Sequence, residues 1–489
     1  MNTTITLSKS DYVLGLKCPL ALWYKKYRRD LMVDASGPAI EQGHLVGELA
    51  RQCFPKGVLV EEKPWEAKAA EHTAECVRNK RKHIYEAVAR FKTGELCAAD
   101  ILRRNADGSH DLIEVKSSSE VKEYHILDVS FQRYVFRKAG YKIRKCHVMT
   151  LNSAYEREGD LDLKKLFTLN DVTGALDSLA QVERNIAALR AMLAGKEPNC
   201  SIGAACGAFY PCKFEAHCWH GVPEYSVFNV VKMEQAEALY REHKTADLKK
   251  LAPFISVTGK RQNDLECFLR KKTVRAPEQL QEFLNQLQYP LYFLDYETIN
   301  SAVPLFGGTK PYQQVPFQFS LHILDKPGAA LRHVEYLHVQ RTDPRPRLVK
   351  ALVKACGKKG SVIAYYAPFE KGRNDELARA FPEHASALRA INDRVVDLFE
   401  PFRGRHLYSY KQQGSASIKK VLPAFTSMSY AGLDIGDGQV ASSMYLAFMN
   451  GLLSRQEAGK MFADLRMYCG QDTMAMVELL KVVREQAAV

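Results

Sequence analysis

Nowhere in these 489 residues is there an uninterrupted apolar run of about 18, the length a membrane-crossing helix needs. The opening MNTTITLSKSDYVLG has neither the apolar core nor the cleavage site of a signal peptide, so the expected location is the cytoplasm. No segment is compositionally simple and no internal repeat is visible, which points to a chain that is globular throughout. The cysteines lack the Cys-x2-4-Cys knuckles of ordinary zinc sites, and a cytoplasmic chain does not keep a disulfide framework.

What is present starts with size and charge. The length suits roughly two to four domains at about 100–200 residues each. Lys and Arg number 69 against 56 Asp and Glu, a net charge of +13. That excess suits a polyanionic partner, because neutralised phosphates release their counterions, although it also serves as ordinary solubility charge.

Of the 12 cysteines, scattered ones such as Cys53, Cys146, Cys267 and Cys356 read as small buried hydrophobes. The string CSIGAACGAFYPCKFEAHCWH is too dense for that: Cys206, Cys212 and Cys218 recur every six residues, with Cys200 six residues upstream. Cluster ligands tolerate such wide spacing and often recruit one distant cysteine, which fits Cys18 in Leu16-Lys17-Cys18-Pro19-Leu20.

The pattern is helical over residues 1–60 and again around 70–92. Two strands follow, ELCAADILRR and HDLIEVKSS, joined by the turn Asn105-Ala106-Asp107-Gly108. A helix at about 126–139, a strand at about 143–151 and an amphipathic helix over 173–195 lead to the cysteines. Residues 222–285 read as a mostly helical connector. From Leu291 a second set of strands alternates with helices, so both halves are expected to be α/β. The expected domains are 1–221, the connector 222–286, and 287–489.

Residues two apart on a strand share a face, so Glu114 and Lys116 point one way, and Ile113 and Val115 the other. An acid beside a lysine on an apolar strand is costly unless paired or used. Asp100 lies within reach on the preceding strand, and Gln132 and Tyr134 sit on a helix that can pack alongside. Two carboxylates can hold a hard divalent ion while a lysine steadies charge on an attacked phosphate. A salt bridge on a hairpin explains the pair equally well.

Further on, the apolar run Pro290–Leu294 leads into Asp295-Tyr296-Glu297, expected at the end of a buried strand with both acids on one face. A second apolar strand, Val362–Ala367, leads to Glu370, and Tyr468 and Asp472 lie four apart on one helix face. Four acids at element ends can hold two divalent ions and so hydrolyse a phosphodiester. Singly, Glu370 and Asp472 read as caps or surface residues. Gly414–Leu422 reads as a phosphate seat with Lys419 and Lys420, or as a solvated face. Pro311–Gln314 with Phe317 and Gln318 offers a base-stacking surface or packed core.

Asp100, Glu114-x-Lys116 and Gln132-x-Tyr134 together resemble the PD-(D/E)XK nucleases of the RecB type. The resemblance implies that Asp100 and Glu114 bind metal, Lys116 assists catalysis and Gln132 positions the site. Gly47 stands where that family carries a metal-binding histidine, leaving His44 or Glu48 as substitutes. The cysteine layout resembles the AddB-type and CRISPR-adaptation members, which implies a [4Fe–4S] cluster on Cys18, Cys206, Cys212 and Cys218. Cys200 rivals them for one place, and a zinc staple is the alternative.

Asp295, Glu297, Glu370 and Tyr468-x3-Asp472 resemble the DEDD exonucleases of the DnaQ type, with an RNase H-like fold, Mg²⁺ or Mn²⁺ as cofactor and 3′→5′ polarity. Glu370 stands where that family has aspartate, and Asp397 is a reserve candidate suited also to a structural role. As a whole the chain is similar to an uncharacterised bacterial family, a domain of unknown function, that joins a RecB-like to a DnaQ-like nuclease. That implies a DNA nuclease of repair, recombination or defence, with a helicase as a candidate partner. The alternatives are one active site with the first half as a DNA-binding platform, an RNA-processing exonuclease, and a non-catalytic nucleic-acid-binding subunit.

Overall fold

The computed structural model describes residues 5–33 and 38–488, which divide into two compact units. The first comprises residues up to Val222 with Lys232–Thr245 and Ala302–Tyr312; the second comprises Pro223–Val231, Ala246–Ser301 and the chain from Gln313 onward. The stretch read as a connector is thus shared between the two units, and a loop inside the second strand set belongs to the first.

The first unit is built on a seven-stranded sheet. Its strands are β1 (Leu7–Ser8), β2 (Val58–Leu59), β3 (His83–Arg90), β4 (Glu95–Arg104), β5 (His110–Val115), β6 (Ile143–Leu151) and β7 (Phe167–Asp171). The order is β2-β3-β4-β5-β6-β7, with β1 paired to β4. Leu102, Leu112, Phe131 and Val135 fill the core on one face, beneath the helices Lys9–Lys17, Glu123–Lys138 and Leu179–Ala194. Ile101, Ile113 and Met149 fill the other, against Val46 and Ala50 of the helix Pro38–Gln52. Burying each such side chain is worth about 1.5–3 kcal/mol.

The helical reading over 70–92 is corrected. The helix Ala67–Arg78 stops, Lys80 turns with φ of 52°, and residues from His83 form β3. Ile84, Ala87, Val88 and Ala89 are buried in the sheet, a tertiary demand that outweighs local helical spacing.

In the second unit, β9 (Leu291–Asn300), β10 (Gln314–Leu324), β11 (Arg332–Leu337), β12 (Ser361–Ala364) and β13 (Val395–Asp397) form a mixed sheet ordered β11-β10-β9-β12-β13. The first three are antiparallel, and β12 and β13 join parallel. A separate ribbon pairs β8 (Thr273–Arg275) with β14 (Leu407–Ser409). One face carries Leu294, Phe319 and Leu321 against the helix Arg345–Ala355; the other carries Leu291 and Phe293 against the helix Arg455–Ala487. Phe317 is buried and stacks on Tyr445 at 3.7 Å, so for this ring the packed-core reading holds.

Candidate functional site

In the first unit β3 pairs antiparallel with β4, from His83–Arg103 to Arg90–Leu96. The other edge of β4 is shared: β1 takes Glu95 and Leu96, and β5 takes residues 101–104. Asp100 sits at this fork, one step beyond the Ile101–Ile113 pair and so opposite Glu114. Its Oδ2 accepts the Val115 N–H at 2.6 Å. Glu114 Oε1 accepts from Lys116 at 2.7 Å and from Lys9 at 2.8 Å, while Oε2 accepts from Gln132 at 2.7 Å. Lys116 and Gln132 also reach Asp128, at 2.7 and 3.2 Å. The structure therefore gathers Asp100, Glu114, Lys116 and Gln132, and adds Lys9 and Asp128, which the motif reading missed.

Both additions had a faint signal. Asp128 lies one helical turn before Gln132. Ser8 and Asp11 form a reciprocal capping box that fixes Lys9 at the first position of its helix. Electrostatics follow from this packing. Burial and the neighbouring Glu114 push the Asp100 carboxyl up to about 7. Burial works against the Glu114 anion as well, but Lys116 and Lys9 hold its carboxyl well below the usual range. His44 and Glu48 are exposed, and a methyl added at Gly47 would meet nothing within 4 Å.

The cysteines converge. Cys18 occupies the N-cap of the helix Pro19–Tyr27, and Cys218 ends the short turn Glu215–Cys218. Cys18, Cys200, Cys206 and Cys218 line a cleft of about 380 Å³, and Cys212 joins Cys18 and Cys218 against Tyr24 and Phe214. All are free thiols. Burial, then Cys212, Cys206 and Cys18, push the Cys218 thiol up to about 12.

In the second unit Asp295 and Glu297 lie mid-strand rather than at a strand end. The β-branched Thr298 and Ile299 continue β9 against β10 to Asn300. On β10, Ser320 stands opposite Asp295 and Gln318 opposite Glu297. The helix Arg455–Ala487 crosses this face and meets it in steps of four residues. Leu465 O accepts from Gln318 at 3.0 Å, Cys469 Sγ lies 3.7 Å from Asp295 Oδ2, and Thr473 Oγ1 lies 2.7 Å from Ser320 Oγ. Tyr468 and Asp472 flank these anchors, and the Tyr430 hydroxyl donates to Asp472 Oδ1 at 2.5 Å.

Glu370 enters from the first turn of the helix Pro368–Ala380, which follows β12. It is buried, and its Oε2 has no hydrogen-bond partner. Lys419 lies over the rings of Tyr468 and Tyr430, at 5.6 and 5.7 Å, while Lys420 turns to Gln413 and Glu224. Burial raises every carboxyl of the group, and for Asp295 and Glu297 the other acids raise it further. Glu370 rises to about 8 and Asp472 to about 6, the latter restrained by Tyr430 and Lys419. Donor atoms of Asp295, Glu297 and Cys469 lie within 4.8 Å of one another. Asp397 instead accepts the N–H groups of Tyr366 and Phe399, at 2.9 and 3.0 Å, a structural role.

Residues 292–417 match a family model described as a domain of unknown function, DUF2779. Over 262 residues the chain is 26% identical to uncharacterized protein MG366 of Mycoplasma genitalium, covering 50% of this chain and 39% of that protein. A homolog of MG366 in Mycoplasma pneumoniae is 27% identical over 246 residues, covering 46% and 37%. Uncharacterized protein UU173 of Ureaplasma parvum is 27% identical over 207 residues, covering 38% and 30%. The chain therefore spans well under half the length of the curated relatives it matches. Among solved structures it is similar to an alkaline exonuclease, LHK-Exo, of Laribacter hongkongensis, at a TM-score of 0.25 and 13% identity over 39% of this chain and 88% of that one. No helix among the described residues is long and apolar enough to cross a membrane.

Proposed function

We propose that this chain is a metal-dependent nuclease that hydrolyses phosphodiester bonds of DNA, on single strands or ends, with a hydrolytic centre in the second unit. One observation carries the reading: four largely buried carboxylates, Asp295, Glu297, Glu370 and Asp472, gather with Lys419 as the nearby cation. A divalent ion fits that donor set. Glu370 Oε2 is buried without a partner, and the neighbouring acids raise Asp295 and Glu297, so a cation relieves both costs. The carboxylate oxygens suit Mg²⁺ or Mn²⁺, which when bound supply an activated water and charge stabilisation at the departing oxygen. In this reading Tyr468, which hydrogen-bonds Asp472, orients that water, and Lys419 draws in a phosphate. The resemblance to DnaQ-type enzymes adds 3′→5′ polarity and an RNase H-like fold.

The first unit carries the RecB-like set of Asp100, Glu114, Lys116 and Gln132 as a second nuclease centre, with a [4Fe–4S] cluster as its staple. Cys18, Cys206, Cys212 and Cys218 hold the cluster in this reading, with Cys200 beside them. Such an enzyme belongs to cytoplasmic DNA repair, recombination or defence, beside a helicase.

A second reading has its own support. Lys9 and Lys116 already neutralise Glu114, and Gly47 supplies no ligand, which suits a first unit that binds DNA without cutting it. The test is protein prepared without oxygen, end-labelled single-stranded DNA and Mg²⁺ or Mn²⁺. Wild type, Lys116→Ala and Asp472→Ala are run together. Two active centres give different losses from the product ladder, whereas loss of all cleavage in Asp472→Ala alone makes the first unit a platform. Cleavage of RNA in place of DNA overturns the substrate, and intact DNA and RNA overturn the nuclease.

A further inference from the structure

The cysteine nearest the second acid cluster is not explained by hydrolysis. Cys469 is fully buried on the helix Arg455–Ala487, directly after Tyr468 and one turn before Asp472. A thiol at such a position normally packs against apolar atoms. This one faces polar groups instead: its Sγ lies 3.7 Å from Asp295 Oδ2 and 3.9 Å from the Asp295 carbonyl oxygen. With one oxygen each from Asp295 and Glu297 it forms the only group of three possible metal donors within 4.8 Å among the described residues. A second observation points the same way: Glu370, whose charge acts on Asp295, keeps a buried oxygen with no partner.

We propose that Cys469 is a sulfur donor of this centre, so that Asp295, Glu297 and Cys469 take a borderline or thiophilic divalent ion, of the zinc, cobalt or cadmium class. The inference rests on the reading that Asp295 and Glu297 hold a divalent ion. Binding forms one metal–sulfur bond and releases the thiol proton to solvent. Mg²⁺ gains nothing from sulfur, whereas Zn²⁺, Co²⁺ and Cd²⁺ do, so the same place distinguishes ions by softness. Zn²⁺ then competes with the hard ion at the centre, and the cysteine sets which metal the second unit retains.

Cobalt tests this directly, because Co²⁺ bound to a thiolate shows a near-ultraviolet charge-transfer band, and Co²⁺ bound to oxygen alone shows only visible bands. The full-length protein, prepared without oxygen, is titrated with Co²⁺ as wild type, Cys469→Ser, Cys469→Ala and Asp295→Asn. Thermal melts confirm that each is folded. The cysteines of the first unit are common to all four and cancel in difference spectra. We expect the serine and alanine variants to lose one thiolate's worth of charge-transfer intensity while keeping the visible bands. Their Zn²⁺ affinity falls about tenfold or more. An unchanged near-ultraviolet band in both cysteine variants overturns the sulfur ligand and leaves the acid cluster standing. If Asp295→Asn also matches wild type at every wavelength, no ion binds there, and the proposed metal centre falls with the inference.

Discussion

In the first unit, Glu114 meets two ammonium groups and an amide, so every oxygen of the buried anion is occupied by this chain's own donors. In the second, Asp295 and Glu297 meet further carboxylates and a thiol, and Lys419 is held over two tyrosine rings. The first arrangement carries its counter-charges in the sequence. In the second, Lys419 restrains Glu297 and Asp472, and the carboxyls still lie above their usual values. A buried carboxylate is costly unless paired, and the two units differ in how much of that pairing their own residues supply.

The contrast is sharpest in the response to metal. Saturating Mn²⁺, about 100-fold above its dissociation constant, is expected to stabilise the second unit by about 2–3 kcal/mol. In calorimetry this appears as an upward shift of one unfolding transition, and Asp295→Asn removes it. A shift of equal size in both transitions, both insensitive to Asp295→Asn, breaks the comparison.

Next comes pH. Glu370 and Asp472 have folded-state values raised to about 8 and about 6, above those of an unfolded chain. The folded state therefore holds extra protons, and without metal the second unit loses stability as pH rises from about 5 to 8. Glu370→Gln flattens this slope across the window. Glu114 behaves oppositely: its value is lowered, so its contribution is present above the unfolded carboxylate value of about 4.3 and lost as pH falls below it. Asp100, raised to about 7, adds to the first unit a loss of stability as pH rises from about 4 to 7, a window separate from that of Glu114. Urea titrations at pH 2, 3, 4, 6 and 8 separate the signs: below about pH 4 the first unit loses stability as pH falls, and above it the second loses stability as pH rises.

Lys9→Met leaves Glu114 with Lys116 as its cation. Because Lys9 is 27% exposed, we expect a cost of only about 1 kcal/mol in denaturant unfolding. The informative readout is Mn²⁺ binding by the first unit, measured in an Asp295→Asn background, which should strengthen once a competing ammonium is gone. Tyr430→Phe is the smallest change: losing one hydrogen bond to Asp472 costs about 0.5–1 kcal/mol and moves the Asp472 carboxyl further up.

Strand parity made much of both clusters legible in the sequence. Glu114 with Lys116, and Asp295 with Glu297, each sit two apart on apolar strands, and Tyr468 with Asp472 on one helix face. What escaped was whatever arrives from distant chain. Lys9 reaches Glu114 because a two-residue strand pairs parallel with β4, and no local pattern announces that pairing. Tyr430 comes from a loop without a motif of its own, whereas Lys419 was visible as a candidate phosphate contact and its place over two tyrosine rings was not. Cys469 carries no motif, since hydrophobicity says that a cysteine is buried and not what it is buried against. The β3 error has the same root, because its periodicity fitted a helix until the neighbouring strands claimed it.

Residues 302–312 lie between β9 and β10 in the chain yet belong to the first unit. Ala302 and Val303 are buried in that unit's core, and the Ala302 N–H donates to Gln42 Oε1 at 2.6 Å. Recombination that joined the gene for residues 1–221 to some other sequence would carry away a first unit with part of its interior missing. The boundary at residue 221 is therefore not a clean seam, because the first unit's interior is written in two separate stretches of the gene.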